Sequence, residues 1–135
     1  MRFLVDANVV SENRKGERAD PGVREWFAAV DSEDLALSVL VLGELRLGVL
    51  RLERRDPAAA AHLTSWLARL QRAYRGRLLP VDSAVTEAWA RLNRPLPIID
   101  SLQAATAKVH GLTLVTRNVG DLEGVDVPLL DPFSE

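Results

Sequence analysis

The chain has 135 residues, 47% hydrophobic and 27% charged, with a net charge of −2 and no cysteine. That length and apolar content suit one compact domain over 1–135, and the missing thiols exclude disulfides, thiolate metal sites and cysteine nucleophiles, as fits a reducing cytoplasm. An acid, Asp6, follows the apolar run Phe3-Leu4-Val5 directly, which leaves no leader core and nothing like the roughly 20 apolar residues of a membrane span.

Phe3 to Val5 reads as a short buried parallel strand that delivers Asp6 at the edge of a sheet. Asp20-Pro21 is a cap followed by proline at the first helical position, and Val23, Trp26, Phe27 and Val30 recur with the spacing of one helix face. Leu35 to Val39 is a second strand. Val41 to about Glu53 is rich in helix formers, so Glu44 is expected in the first turn or so of that helix. Asp56-Pro57 repeats the cap-plus-proline signal ahead of an apolar stripe of Leu63, Trp66, Leu67, Leu70 and Tyr74, which Gly76 ends.

Leu78 to Val81 is a third strand, and Asp82 or Ser83 caps a helix carrying Val85, Ala88, Trp89 and Leu92. Pro95 and Pro97 stop it and place Asp100 at the start of the Ala-rich helix that Gly111 terminates. Leu112 to Val115 and Val127 to Leu130 are the remaining strands. Strands alternating with helices imply an α/β/α sandwich on a mostly parallel sheet.

Fifteen of the 17 basic residues are Arg, grouped at Arg46, Arg51, Arg54 and Arg55 and at Arg69, Arg72, Arg75 and Arg77. Such groups ordinarily make solvated helix faces, and their clustering leaves phosphate binding open despite the net negative charge. Trp26, Trp66 and Trp89 fall on apolar stripes and are read as core or subunit packing; His62 and His110 are read as structural.

Ligands of parallel sheets bind beyond the carboxyl ends of the strands. Asp6, Glu44, Asp100, Asn118 and Asp121 all fall at such positions. Taken singly, Asp6 is a turn acid, Glu44 a helix-dipole acid and Asp100 an N-cap. Gathered at one edge, carboxylates would repel unless one took up a proton or a cation neutralised them. Oxygen donors without nearby His or Cys suit a hard ion, Mg²⁺ or Mn²⁺.

The run Phe3-Leu4-Val5-Asp6-Ala7-Asn8-Val9-Val10-Ser11-Glu12 resembles the opening of PIN-domain proteins, particularly VapC-type toxins. Leu37 to Leu45 with Gly48, Pro97 to Ala107 and Leu114 to Leu122 resemble the family's later motifs in order, so the resemblance covers essentially the whole chain. It implies a PIN-like fold and Mg²⁺-dependent hydrolysis of RNA, with Asp6, Glu44 and Asp100 as metal ligands and Asn118 and Asp121 completing the site. It also implies a homodimer and a cognate antitoxin whose basic side chain enters the acidic pocket. Two departures stand out: Ala7 replaces the usual Thr or Ser, and Asn118 replaces an acid that many relatives carry.

Two other readings compete. A haloacid-dehalogenase-like phosphatase would want Asp-x-Asp, whereas Asp6-Ala7-Asn8 lacks the second acid. A catalytically inert RNA- or protein-binding module would not require the three main acids, which are all present.

Overall fold

The structure is a computed structural model that describes residues 1–134. Five short strands, β1 (Phe3–Val5), β2 (Leu35–Ser38), β3 (Leu78–Leu79), β4 (Thr113–Val115) and β5 (Leu129–Leu130), form one sheet in the order β3-β2-β1-β4-β5. Every pairing is parallel, with Leu4 against Ala36 and Leu114, and Val5 against Val115. The chain builds outward from β1 through β2 to β3, then returns to the other side of β1 to place β4. That reversal makes the β1/β4 boundary the switch point at which parallel sheets open a crevice.

Among the described residues, six α-helices flank the sheet: α1 (Ala7–Asn13), α2 (Pro21–Ala29), α3 (Val39–Glu53), α4 (Pro57–Ala73), α5 (Ser83–Leu92) and α6 (Ile98–His110). Alternation along the strands divides the core. Leu4, Ala36, Leu79 and Leu114 face a layer containing Ala104 and Ala107 of α6. Val5, Leu35, Leu37 and Val115 face Val9 and Val10 of α1, Val23 of α2, Val41 of α3 and Tyr74. The result is the expected α/β/α sandwich, and the buried alanines of α6 let that helix lie close on the sheet.

Local chemistry sets the boundaries. Asp20, Asp56 and Asp82 each accept from the backbone N–H three residues on, capping α2, α4 and α5. Gly111 closes α6 in the left-handed conformation at φ 66°. Pro80, which lacks an N–H, follows β3 directly, so that strand is shorter than the apolar run Leu78 to Val81 suggested.

Two expectations change at helix starts. Asp6 is not the last residue of β1 but the N-cap of α1, a helix that the sequence did not announce. Ser38 caps α3 through its hydroxyl, which accepts from the Leu40 N–H at 3.1 Å, so the helix begins at Val39 rather than Val41 and Glu44 lies in its second turn. Of the Arg clusters, Arg77 is structural: it donates to the carbonyls of Leu35 and Ala73 at 2.7 Å each and lies over the Tyr74 ring.

Candidate active site

Asp6 sits at the β1/β4 crevice, 7% exposed, and its carboxylate is held by three donors from three parts of the chain. Oδ1 accepts from the Ala7 N–H and from Gln103 Nε2, each at 2.7 Å. Oδ2 accepts from the Thr116 hydroxyl, also at 2.7 Å. Thr116 is the first residue beyond β4, as Asp6 is beyond β1, and its backbone N–H is fixed on the Leu130 carbonyl at 2.9 Å. Its hydroxyl accepts from the Asn118 N–H at 3.1 Å, which leaves the hydroxyl proton for Asp6.

Asp100 stands in the first turn of α6, partly buried, where the helix dipole favours an acid. Its carboxyl is nevertheless raised above the ordinary range, by desolvation first and then by the negative charges of Asp6 and Asp121. Glu44 projects from α3 and keeps an exposed surface, yet it is pushed up to about 7 by desolvation and by the charges of Asp6 and Asp100. Asp6 and Asp100 thus act on Glu44, and Asp6 and Asp121 on Asp100, although the four come from separate stretches of sequence.

Each sequence-predicted residue has a place. Asp6, Glu44 and Asp100 share the crevice, and Asp121 borders it through Asp100. Asn118 is tied in through its backbone to Thr116. Among the described residues, no three acids or histidines stand close enough to make a ready-formed metal cage. The donor set nevertheless suits a hard cation, because it is oxygen-only and neighbouring negative charge disfavours ionisation of Glu44 and Asp100, a penalty that a divalent ion relieves.

Gln103 and Thr116 were not singled out as functional from the sequence. The signals existed: Gln103 is the one amide in an Ala-rich buried helix face, three residues after Asp100, and Thr116 takes the position after β4 that Asp6 takes after β1. Among the described residues, two buried amide oxygens, Asn8 Oδ1 and Gln103 Oε1, have no hydrogen-bond partner.

Beside Glu44 runs a groove of about 460 Å³ between α1, α3 and α4, lined by Asn8, Ser11, Arg14, Arg55, Leu52 and Trp66 among others. Arg14 lies over the Trp66 ring, 5.8 Å from its centroid. Arg117, next to Asn118, stacks on Phe133 with its guanidinium carbon 4.4 Å from the ring centroid. Trp89 is 37% exposed, and its indole N–H donates to Ser101 Oγ at 2.9 Å, so it is less buried than its apolar stripe implied.

The PIN domain family model matches residues 3–126. The chain is 31% identical to toxin FitB of Neisseria gonorrhoeae over 98% of its own length and 99% of that protein's. It is 45% identical to ribonuclease VapC4 of Mycobacterium tuberculosis over 61% of its length and 65% of that protein's. The crystal structure of FitAcB from Neisseria gonorrhoeae superposes with a TM-score of 0.88 at 31% identity, covering 96% of this chain and 97% of that one. An acid-lined switch-point crevice on an α/β/α sandwich, a matching family model and a near-full-length match to toxin FitB together place this chain in the PIN-domain family, among the VapC- and FitB-type toxins.

Proposed function

We propose that the chain is a Mg²⁺-dependent ribonuclease, cutting RNA phosphodiesters endonucleolytically as the toxin of a toxin–antitoxin pair, with Mn²⁺ as a competent substitute. The observation that carries this reading is the electrostatic crowding of Asp6, Glu44, Asp100 and Asp121 in one crevice. Crowded acids of this kind cluster at functional sites, since a structural role alone gives no reason to gather them.

Asp6, Glu44 and Asp100 would hold the ion. When bound, it lowers the pKa of water and offsets charge developing on the phosphoryl oxygens. Asp6 is the fixed ligand, because three protein donors orient its carboxylate before any ion arrives. Glu44, which desolvation and the charges of Asp6 and Asp100 push up to about 7 before any ion arrives, would give up that proton on binding the ion and complete its shell or orient the attacking water. Asn118 and Asp121 orient water at the outer edge. No side chain need act as nucleophile.

The substrate and partners belong to the same proposal. RNA is the substrate by membership among ribonuclease relatives. A cognate antitoxin is the inhibitor, reaching the crevice with a basic side chain that replaces the ion's charge. The chain pairs with a second copy through exposed apolar positions of α3, where Leu47 and Leu50 are 46% and 53% exposed. The cytoplasm, where RNA and antitoxin both reside, is the proposed location; no helix among the described residues is long and apolar enough to cross a membrane.

The experiment is to sequence RNA 5′ ends after brief expression of wild-type and Asp100→Asn protein. New, recurrent ends with wild type alone are expected. Identical end profiles would leave an inert binding module as the better reading.

A further inference from the structure

We propose that Gln103 is a positioning residue for the cation: it fixes Asp6 so that Oδ2 alone keeps an open acceptor site, and it locks the helix bearing Asp100 to the end of β1. This rests on the metal-dependent reading above. A carboxylate offers about four lone-pair positions. The Ala7 N–H and Gln103 Nε2 take those on Oδ1, and the Thr116 hydroxyl takes one on Oδ2. One position remains, and it lies on Oδ2.

The same bond sets the spacing between two of the acids. Gln103 follows Asp100 by three residues, so both occupy neighbouring turns of α6, and the 2.7 Å contact to Asp6 bridges 97 residues of sequence. The helix that carries Asp100 is thereby pinned to the strand end that carries Asp6. A second observation separates this role from ordinary core filling. Gln103 is 1% exposed, and its Oε1 has no hydrogen-bond partner. A buried acceptor without a partner opposes folding, so stability alone would favour an apolar side chain of similar volume here. The amide is explained by what its N–H₂ group does to Asp6.

The test is Mn²⁺ binding by the full chain, followed calorimetrically, together with the melting temperature of the metal-free protein. Gln103→Met keeps the volume and removes the donor. It is expected to weaken Mn²⁺ binding by about tenfold or more, as loss of a group that orients a metal ligand does, with the melting temperature lowered only slightly, because Asp6 Oδ1 keeps the Ala7 N–H. Thr106→Val is the control: Thr106 is buried on the same helix but donates only to the Leu102 carbonyl, so Mn²⁺ affinity should stay at the wild-type value.

Unchanged Mn²⁺ affinity in Gln103→Met would overturn the role of Gln103 while leaving the metal reading intact. Equal losses of affinity in both variants, or a Gln103→Met protein that melts well below wild type or fails to fold, would make Gln103 structural and overturn it too. No Mn²⁺ binding by wild type would remove the metal reading and this inference with it.

Discussion

Thr116 donates its hydroxyl to Oδ2 of Asp6 at 2.7 Å, although 110 residues separate them in the chain. The Asn118 N–H fixes the direction of that bond by occupying the hydroxyl as a donor. Thr116→Val keeps the shape and removes the donor. It should weaken Mn²⁺ binding and lower kcat/KM for RNA cleavage by about 10- to 100-fold, whereas Thr116→Ser should retain most of both. A Thr116→Val protein with wild-type affinity would show that Asp6 needs no such support.

Glu44 gives the protein an unusual pH dependence. Its folded pKa of about 7 lies above the 4.5 of the free group, so the folded chain binds more protons than the unfolded one between those values. Stability contributed by protonated Glu44 is therefore full below about 4.5 and lost as pH rises through about 7. Because the side chain is exposed to solvent, the effect is discounted to about 1 kcal/mol. Metal-free Glu44→Gln is expected to be more stable than wild type at pH 8, and to lose that advantage at pH 4. Mn²⁺ should bind more weakly at pH 6 than at pH 8 and release protons near pH 7. Calorimetry in buffers of different ionisation enthalpy reads that release directly, and its absence would contradict the shared-charge picture.

Much of this was legible because the decisive signals are local. Asp20-Pro21, Asp56-Pro57 and Gly111 state their roles through single-residue chemistry, and the helices they bound lie where the sequence placed them. Helix α1 was not legible. It has seven residues, includes the adjacent β-branched Val9 and Val10, and is capped by an acid already read as a strand end; packing of Val9 and Val10 against Val23 and Val41 accounts for its helicity better than propensity does. The helix carrying Glu44 starts two residues earlier than expected, at Val39 rather than Val41, because Ser38, inside the run read as a strand to Val39, is its cap. The acids themselves could be named from sequence, since carboxylates at strand and helix ends are conspicuous. Gln103 could not be assigned a role that way, because the meaning of a buried amide lies in a partner 97 residues away.

The C-terminal segment is strapped onto the start of α2. Ser134 donates its backbone N–H to Asp20 Oδ2 at 2.8 Å and its hydroxyl to Oδ1, and these bonds depress the Asp20 carboxyl to about 2. Gly22 permits the close approach, since a Cβ there would meet the Pro132 carbonyl oxygen at 2.4 Å and the Ser134 nitrogen at 2.7 Å. Gly22→Ala should displace residues 132–134 and lower stability by about 1–3 kcal/mol. Thermal melts and amide hydrogen exchange of Ser134 would detect it, and an unchanged Ser134 signal would count against the strap.

Leu47 and Leu50 present an apolar strip on α3 that the described core does not cover. If two copies pair there, Leu50→Asp should convert dimer to monomer in analytical ultracentrifugation while leaving the circular dichroism spectrum unchanged. An unaltered sedimentation coefficient would place the dimer contact elsewhere.

The most direct measurement is cleavage of a defined single-stranded RNA by purified protein, with Mg²⁺ and with chelator, for wild type and Asp6→Asn. The account expects cleavage by wild type only when the ion is present, and loss of at least 100-fold in Asp6→Asn, about 3 kcal/mol in transition-state stabilisation. Cleavage that survives chelation, or that Asp6→Asn performs at the wild-type rate, would contradict it.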